Sequence, residues 1–524
     1  MMINPKLNLT AHVDFLSSNI FWLNWTFFII PFTILTSLLA GCTLNTGTQP
    51  ASETSMIALA ACQLSSPGSV ARLAAKCGHI EVYEDRATNT GKQITLNLAI
   101  IPAVSRNPEP DPLFFLTGGP GQAATESYPL LSTAFERIHQ KRDIILVDQR
   151  GTGQSNPLTC TGIEDIDLDA KDNQELANRL RICLSQLDAN PALYTTANAM
   201  QDLDQVRDTL GYQQINIYGV SYGTRAALTY LSMYPEHVRS VILDGVVPQD
   251  EPLGLSVGRD AQRALNLIFS RCALQPSCNQ AFPEVRNEFK LELEAVETNP
   301  VEVTLTHPTS GEDTHITFTS EKMGTAIRLF SYTPETAALL PLMIHDAFTQ
   351  RDYQLLAATY LIVAGELEES ITEGMGYSVL CAEDFPFISL DEAAKENAGS
   401  YLGDETAVEL SNICQTWPHA QVSPEFKTPV QSDLPVLLLS GEADPVTPPE
   451  NGDSVSKSLP NSVHLVAPGQ GHNVIFRGCI PRIAADFIDA GSVQGLDTAC
   501  VQDIQPLPFF VNFSGPIPNP GDEK

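Results

Sequence analysis

The sequence is poor in basic side chains and has no run of them. It carries 30 lysines and arginines against 62 aspartates and glutamates, which gives a formal net charge of −32 over 524 residues. Such a chain would be repelled by a phosphate backbone, so nucleic-acid binding is not expected. The acidity favours solubility, and it also attracts cationic groups such as free peptide amines.

Internal repeats, long low-complexity runs and the C-x-x-C spacing of a metal site are also lacking. A repeat architecture and a cysteine-bound metal are therefore not expected. The remaining composition, 43% hydrophobic and 18% charged, is that of a folded globular protein. The length allows a large core and an insertion.

One long apolar run covers residues 20–40 and ends in Leu39-Ala40-Gly41-Cys42. This ending is similar to the lipobox of bacterial lipoproteins, which implies a signal peptide over 1–41, lipidation of Cys42 and a tether over 42–61. Lys6 is the only basic residue before the run, so an uncleaved membrane anchor is the alternative. Both interpretations export the rest of the chain, which would face the periplasm or the cell exterior from a membrane.

The cysteines also favour export. Apart from Cys42 there are ten of them, and they fall as near neighbours along the chain. Because disulfides persist in oxidising compartments, we predict local pairs in preference to buried free thiols, although spacing does not fix connectivity. The predicted pairs are Cys62 with Cys77, Cys160 with Cys183, Cys272 with Cys278, Cys381 with Cys414, and Cys479 with Cys500.

Strand and helix patterns alternate from residue 94 to residue 245, which predicts a doubly wound, mostly parallel sheet. From Pro248 the pattern is mainly helical, with one possible hairpin over 301–319, and strand patterns return at Leu434. We therefore predict an α/β core in two parts with a helical cap inserted between them. The predicted boundaries are 62–249 for the first part, 250–424 for the cap, 425–500 for the second part and 501–524 for an irregular tail.

The most informative stretch is residues 215–225, where a short strand runs into Gly219-Val220-Ser221-Tyr222-Gly223 and then into a helix. This G-x-S-x-G pattern in a strand–turn–helix context predicts a nucleophile elbow, with Ser221 as nucleophile. The N-terminus of the following helix offers free N–H groups where an oxyanion would form.

A serine nucleophile needs a base, and the base needs a carboxylate to orient it. Asp444 and His472 follow Ser221 in the order Ser–Asp–His, and each comes just after a predicted strand. There are two alternatives for the acid: Asp444 could only cap the following helix, and Asp244 also ends a strand, although we expect Asp244 to be structural. His472 is favoured among ten histidines by its Gly-rich position after a strand.

The oxyanion hole is predicted from two backbone N–H groups. One belongs to Tyr222, the residue after the nucleophile, and the other to the loop of residues 118–121. Pro120 has no N–H, so Gly119 is the favoured donor and Gly118 the alternative. The reaction chemistry requires no metal or organic cofactor.

Three segments together carry a family resemblance: residues 118–121 (GGPG), 148–155 (DQRGTGQS) and 219–225 (GVSYGTR). The sequence resembles the prolyl and tripeptidyl aminopeptidases of the α/β-hydrolase fold, from about Cys62 to Cys500. The resemblance implies a serine exopeptidase that acts on peptide N-termini beneath a helical cap. Thr117 stands where prolyl aminopeptidases usually carry histidine, so proline specificity is not implied.

An exopeptidase of this kind has to recognise a free α-amine, and carboxylates do so by charge-assisted hydrogen bonds. Among the acidic residues of the predicted cap, Glu383 and Asp384 follow an apolar stretch and are the candidates. Two other functions remain open on sequence alone. One is an esterase or amidase for small non-peptide substrates, and the other is a non-catalytic binding protein on a hydrolase scaffold.

Overall fold

A computed structural model describes residues 57–159 and 173–516, without the side chains of residues 364 and 366–368. Its centre is a nine-stranded sheet, and a separate two-stranded hairpin is formed by β8 and β9. The strands are β1 (Ala60–Leu64), β2 (Leu73–Tyr83), β3 (Gln93–Ile101), β4 (Leu113–Leu116), β5 (Ile144–Val147), β6 (Ile215–Val220), β7 (Val238–Asp244), β8 (Val301–Thr306), β9 (Asp313–Phe318), β10 (Val436–Gly441) and β11 (Ser462–Ala467).

The order in the large sheet is β1-β2-β3-β5-β4-β6-β7-β10-β11. The six strands from β5 to β11 in this order run parallel, whereas β1, β2 and β3 pair antiparallel at one edge. The predicted α/β-hydrolase fold with a mostly parallel sheet is confirmed. The parallel order brings the carboxyl ends of β6, β10 and β11 to one edge, where ligands bind in such sheets.

Both faces of the sheet are covered, because successive strand residues point to opposite sides. Phe115 and Tyr218 pack on one face with the helix that ends the core, whereas Phe114 and Ile217 pack on the other with the helix that follows β6. The central strands are consequently apolar without interruption, which made them visible in the sequence.

The helices cover the sheet and fill the segment between β7 and β10. They are α1 (Ala124–Leu131), α2 (Glu136–His139), α3 (Asn173–Gln186), α4 (Thr196–Leu210), α5 (Tyr222–Met233), α6 (Val257–Leu274), α7 (Pro276–Ala281), α8 (Val285–Thr298), α9 (Ser320–Phe330), α10 (Pro334–Ala337), α11 (Leu340–Gln350), α12 (Gln354–Ser370), α13 (Glu373–Glu383), α14 (Leu390–Glu396), α15 (Glu405–Cys414), α16 (Pro449–Ser456) and α17 (Ile480–Ala490).

The insertion between β7 and β10 is mainly helical and contains the predicted hairpin, β8 with β9. It has a hydrophobic cluster of its own, which includes Phe269, Phe289 and Met343. The described residues of core and insertion nevertheless belong to one compact unit. The predicted domain boundaries therefore stay predictions.

The structure adds detail at two parts of the chain that were predicted to lie outside the core. The predicted tether, 42–61, overlaps β1, which begins at Ala60 and pairs with β2. The predicted tail has no α-helix or strand over its described residues, 501–516, but these residues are held in place: Phe509 is buried in the hydrophobic cluster of the insertion, and the N–H of Phe510 donates to the carbonyl of Ala338. An irregular backbone thus completes a folded core.

Four predicted cysteine pairs are disulfide-bonded in the structure, and these are Cys62–Cys77, Cys272–Cys278, Cys381–Cys414 and Cys479–Cys500. Cys160 lies outside the described residues, so its pairing with Cys183 stays a prediction, as does the lipidation of Cys42. Within 57–159 and 173–516 no helix has the length and apolar character that a membrane span needs.

Candidate active site

Ser221 lies between β6 and α5 with φ at 55° and ψ at −127°. A positive φ is costly for a residue with a side chain, and it persists only where the surroundings enforce it. Close packing enforces it here. A Cβ on Gly219 would lie 2.3 Å from the carbonyl oxygen of Gly223, and a Cβ on Gly223 would lie 2.3 Å from that of Leu116. Both glycines are therefore required by the elbow.

His472 and Asp444 form a hydrogen-bonded pair. Nδ1 of His472 lies 2.9 Å from Oδ2 of Asp444, and both side chains are buried. A carboxylate accepts, so Nδ1 carries the proton and Nε2 is left as the base. Asp444 is also held by the backbone N–H groups of Val446 and Thr447 through Oδ1, at 2.8 and 2.9 Å.

The pKa of Asp444 lies below its usual value. Burial alone would raise this pKa, but His472 and the two N–H donors of Val446 and Thr447 outweigh the burial. The carboxyl group is therefore ionised at neutral pH and can stabilise a protonated His472.

Ser221 and His472 line the same cavity, with a volume of about 550 Å³. Among the described residues no hydrogen bond joins the Ser221 hydroxyl to His472. Such bonds are often long in ligand-free hydrolases and shorten when substrate is bound. The structure thus brings the three predicted triad residues to one edge of the sheet.

The predicted oxyanion donors lie beside Ser221. Tyr222 is the first residue of α5, and Gly119 has φ at 104° in the loop after β4. A Cβ on Gly118 would lie 3.1 Å from Cβ of Ser221, so this loop contacts the nucleophile. Within the described ranges neither the Tyr222 N–H nor the Gly119 N–H has an acceptor. Both remain available to an oxyanion.

Asp244 has a structural role in this geometry. Its carboxylate accepts the N–H groups of Val474 and Ile475 at 2.9 Å and the hydroxyl of Tyr218 at 2.9 Å. It therefore holds the loop that carries His472. Burial is the main reason why its pKa is raised to about 6.

The structure does not place Glu383 and Asp384 in the wall of the cavity. Asp384 is fully buried and ion-paired with Arg225 at 2.7 Å and with Lys427 at 2.9 Å. Its charge is therefore already neutralised by the protein. The sequence offered Asp384 as a candidate for the substrate amine, whereas the structure pairs it with Arg225 and Lys427 away from the cavity wall.

Glu383 is also buried, and it accepts from the backbone N–H and the hydroxyl of Thr196, both at 2.7 Å. The Thr196 hydroxyl lies 2.6 Å from the hydroxyl of Tyr222. Glu383 is thus linked through Thr196 to Tyr222, the residue after the nucleophile, and it does not line the cavity. Burial raises the pKa of Glu383 to about 7.

The carboxylates that do line the cavity are Glu251, Asp260 and Glu409. Glu251 and Asp260 are both paired with Arg259, at 3.1 and 2.9 Å. Glu409, on α15, has no hydrogen bond or ion pair among the described residues, and it is exposed to the cavity. Burial by the surrounding walls, and then Glu405, raise the pKa of Glu409.

Sequence reasoning missed three contributors to the site. Thr447 lies between Asp444 and His472, with its hydroxyl 2.8 Å from Oδ2 of the first and 3.1 Å from Nδ1 of the second. Tyr332 packs edge-on against the His472 ring, with the ring centres 5.4 Å apart, and its carbonyl accepts the backbone N–H of His472 at 2.7 Å. Glu409 is the third. Of these three, only Thr447 could have been suspected from the sequence, because it lies three residues after Asp444 and is close enough along the chain to bond to its carboxylate.

Comparisons with known proteins find sequence similarity to α/β-hydrolases. A family model described as TAP-like protein matches residues 400–500, and one described as alpha/beta hydrolase fold matches residues 111–271. The serine protease Hip1 of Mycobacterium tuberculosis is 24% identical over 475 residues, which cover 84% of this chain and 90% of the relative.

A tripeptidyl aminopeptidase of Streptomyces lividans is 29% identical over 190 residues, which are 33% of this chain and 35% of that protein. The crystal structure of a proline iminopeptidase from Mycobacterium smegmatis aligns with 79% of this chain and 98% of its own, with 16% identity and a TM-score of 0.39.

Proposed function

We propose that this chain, a serine hydrolase that belongs to the TAP-like family of α/β-hydrolases, is an aminopeptidase that releases residues from the N-termini of short peptides. The observation that carries the proposal is the position of Glu409. It is a carboxylate with no partner among the residues that the structure describes, and it lies in the wall of the cavity that also contains Ser221 and His472.

The proposed reaction is acyl transfer through a covalent intermediate. Oγ of Ser221 attacks the scissile carbonyl carbon while Nε2 of His472 takes the hydroxyl proton. The N–H groups of Gly119 and Tyr222 stabilise the resulting oxyanion. When the C–N bond breaks, His472 gives its proton to the leaving amine. Water then attacks the acyl-enzyme with His472 again as base, which releases the acid product and restores Ser221.

Recognition of the free amine is assigned to Glu409. An ammonium group next to this carboxylate would form a charge-assisted hydrogen bond that no protein cation already occupies. Glu251 and Asp260 are poorer candidates because Arg259 neutralises both.

The shape of the cavity supports short peptides as substrates. A volume of about 550 Å³ falls within the range of small-ligand sites. The wall is largely apolar and includes Val247, Leu253, Leu380 and Leu410. A short peptide with apolar side chains can enter such a cavity, whereas a folded protein chain cannot.

The test compares peptides with free and N-acetylated termini, and simple acyl esters, on the wild-type protein and on Glu409→Gln. We expect N-acetylation to abolish cleavage and Glu409→Gln to raise KM for free-amine peptides about tenfold or more, with little effect on ester turnover. Glu392→Gln is the control, because Glu392 is an exposed carboxylate of α14 outside the cavity wall. Equal cleavage of acetylated and free peptides would instead favour an amidase, and ester cleavage alone would favour an esterase.

We further propose that the protein is exported and anchored through a lipid on Cys42. The apolar segment before Cys42 and the cysteine-rich composition support this, since disulfides accumulate in oxidising compartments. Mass spectrometry of the mature protein from a bacterial membrane fraction tests it. We expect an acylated Cys42 at the N-terminus and release of Cys42→Ala from the membrane. A mature chain that retains residues 1–41 would show an uncleaved anchor.

A further inference from the structure

The catalytic cavity is lined by a second charged side chain that has no partner. Arg328, on α9, lies in the wall with Ser221 and His472. Among the described residues it forms no ion pair or side-chain hydrogen bond, and its Nε is buried without an acceptor. The Arg328 guanidinium does lie over an aromatic ring, 5.8 Å from the ring centre of Tyr332.

The chain is rich in carboxylates. Two fully buried arginines near the site are neutralised by them, whereas the half-buried Arg328 has no such partner among the described residues. Arg150 is bound by both carboxylate oxygens of Asp202, at 2.6 and 2.8 Å, and Arg225 by Asp384 at 2.7 Å. With twice as many acids as bases available, the absence of a partner at Arg328 leaves its donors for a ligand.

The position of Arg328 relative to the triad follows from Tyr332, four residues later. Tyr332 contacts His472 twice. Its ring centre lies 5.4 Å from that of the imidazole, and its carbonyl accepts the backbone N–H of His472 at 2.7 Å. His472 delivers the proton to the leaving amine. Arg328 therefore lies on the His472 side of the cavity, the side from which a leaving amine would receive its proton.

We propose that Arg328 binds a carboxylate of the leaving portion, which in a short peptide is the C-terminal carboxylate. A guanidinium suits this group because its planar donors match the two oxygens of a carboxylate. The cavity then presents an anion, Glu409, for the free amine and a cation, Arg328, for the free acid. It is built for a small zwitterionic peptide and selects short peptides by both ends. This inference rests on the proposed function for the direction in which the peptide is bound.

The test measures binding to Ser221→Ala, so that it does not depend on turnover. Calorimetry compares tri-, tetra- and pentapeptides of alanine as C-terminal acids and as C-terminal amides. We expect the acids to bind about tenfold more tightly than the amides, the effect of one partly exposed charge-assisted contact. In Ser221→Ala/Arg328→Met the two forms should bind equally, and Arg328→Lys should retain part of the preference. A purely structural role of Arg328 would weaken acid and amide alike.

Arg286→Met in the same background is the control, because Arg286 is an exposed arginine of the insertion outside the cavity wall. It should keep the acid preference. An amide peptide with glutamate in the leaving portion separates a side-chain carboxylate from the C-terminal one. If this glutamate-containing amide binds as tightly as the C-terminal acid, Arg328 binds both side-chain and C-terminal carboxylates.

Equal binding of acid and amide to Ser221→Ala, an unchanged preference in the Arg328→Met variant, or no binding of any peptide would overturn the inference. Failure of the proposed function gives a different result. In that case Ser221→Ala still prefers the acid, but the wild-type protein cleaves N-acetylated and free peptides alike or cleaves neither.

Discussion

The Thr447 hydroxyl donates a 2.8 Å hydrogen bond to Oδ2 of Asp444, the same oxygen that accepts Nδ1–H of His472. Together with two backbone N–H groups, this bond fixes the carboxylate in the plane that the imidazole needs. We expect Thr447→Val, which keeps the shape but removes the donor, to lower kcat about tenfold with little change in KM. Thr447→Ser keeps the hydroxyl and should keep most of the rate. Steady-state kinetics on a peptide and on an ester decide, and an unchanged kcat in Thr447→Val would contradict this role.

Removal of the nucleophile has the largest expected effect. Ser221→Ala should lower peptide and ester turnover by a factor on the order of 10⁴ or more, because no other group can form the acyl-enzyme. The melting temperature should not fall, because alanine and serine carry the same Cβ and therefore meet the positive φ of residue 221 at a similar cost. A fluorophosphonate probe should label the wild-type protein and leave Ser221→Ala unlabelled. Labelling of the variant would mean that another residue is the nucleophile.

The buried Glu383 predicts a pH dependence of stability. Burial raises the pKa of its carboxyl group to about 7 in the folded protein, above the usual value of 4.5. Between these two pH values the folded state holds a proton that the unfolded state has lost, so stability decreases as pH rises from about 4.5 to about 7. Below this window the contribution is fully present, and above it the loss is complete.

Glu383→Gln removes this titration and is nearly isosteric. The free energy of unfolding of the wild-type protein, minus that of Glu383→Gln, should therefore fall as pH rises through the window and stay constant above it. Chemical denaturation at a series of pH values measures this difference. The groups that interact with Glu383 include Thr196, Asp384, Arg225, Tyr222 and Lys427, and none of them is altered in the variant. A pH-independent difference would show that Glu383 does not titrate in this range.

The two disulfides of the insertion should stabilise the protein to different extents. Cys381–Cys414 closes a separation of 33 residues and Cys272–Cys278 one of only 6. On a chain-entropy basis, removal of the first with paired Ala substitutions should cost about 3–4 kcal/mol of stability and removal of the second about 2 kcal/mol. Since Cys381–Cys414 joins α13 to α15, its removal should also impair binding of the peptide amine at Glu409. Equal losses for the two disulfides would argue against the entropic account.

The sequence was sufficient to predict the parts of the site that depend on local patterns. Ser221, Asp444 and His472 each follow a short apolar strand, and strands of this kind converge at one edge of a parallel sheet. Strand β2, which lies between β1 and β3, was missed because it is half-exposed, so Lys76, His79 and Glu81 interrupt its apolar pattern. The fold was therefore predictable where strands are buried on both faces.

Pairing across the chain was not predictable. Asp384 lies 159 residues from Arg225, and Glu383 lies 187 residues from Thr196. A local apolar stretch indicates that such carboxylates are buried, but it carries no information about which distant donor satisfies them. For the same reason Glu409 was not distinguished from the other acidic residues of the insertion. Its role depends on the lack of a partner, which only the fold reveals.

Phe509 makes the folding of the insertion depend on a distant part of the chain. It is buried in the hydrophobic cluster of the insertion, with the Arg271 guanidinium 5.1 Å from its ring centre, although more than 90 residues separate it from the end of α15. A chain that stopped before residue 509 would leave this cluster open on one side. Because the insertion also lines the cavity of Ser221, such a truncation should disturb the active site as well as the cluster.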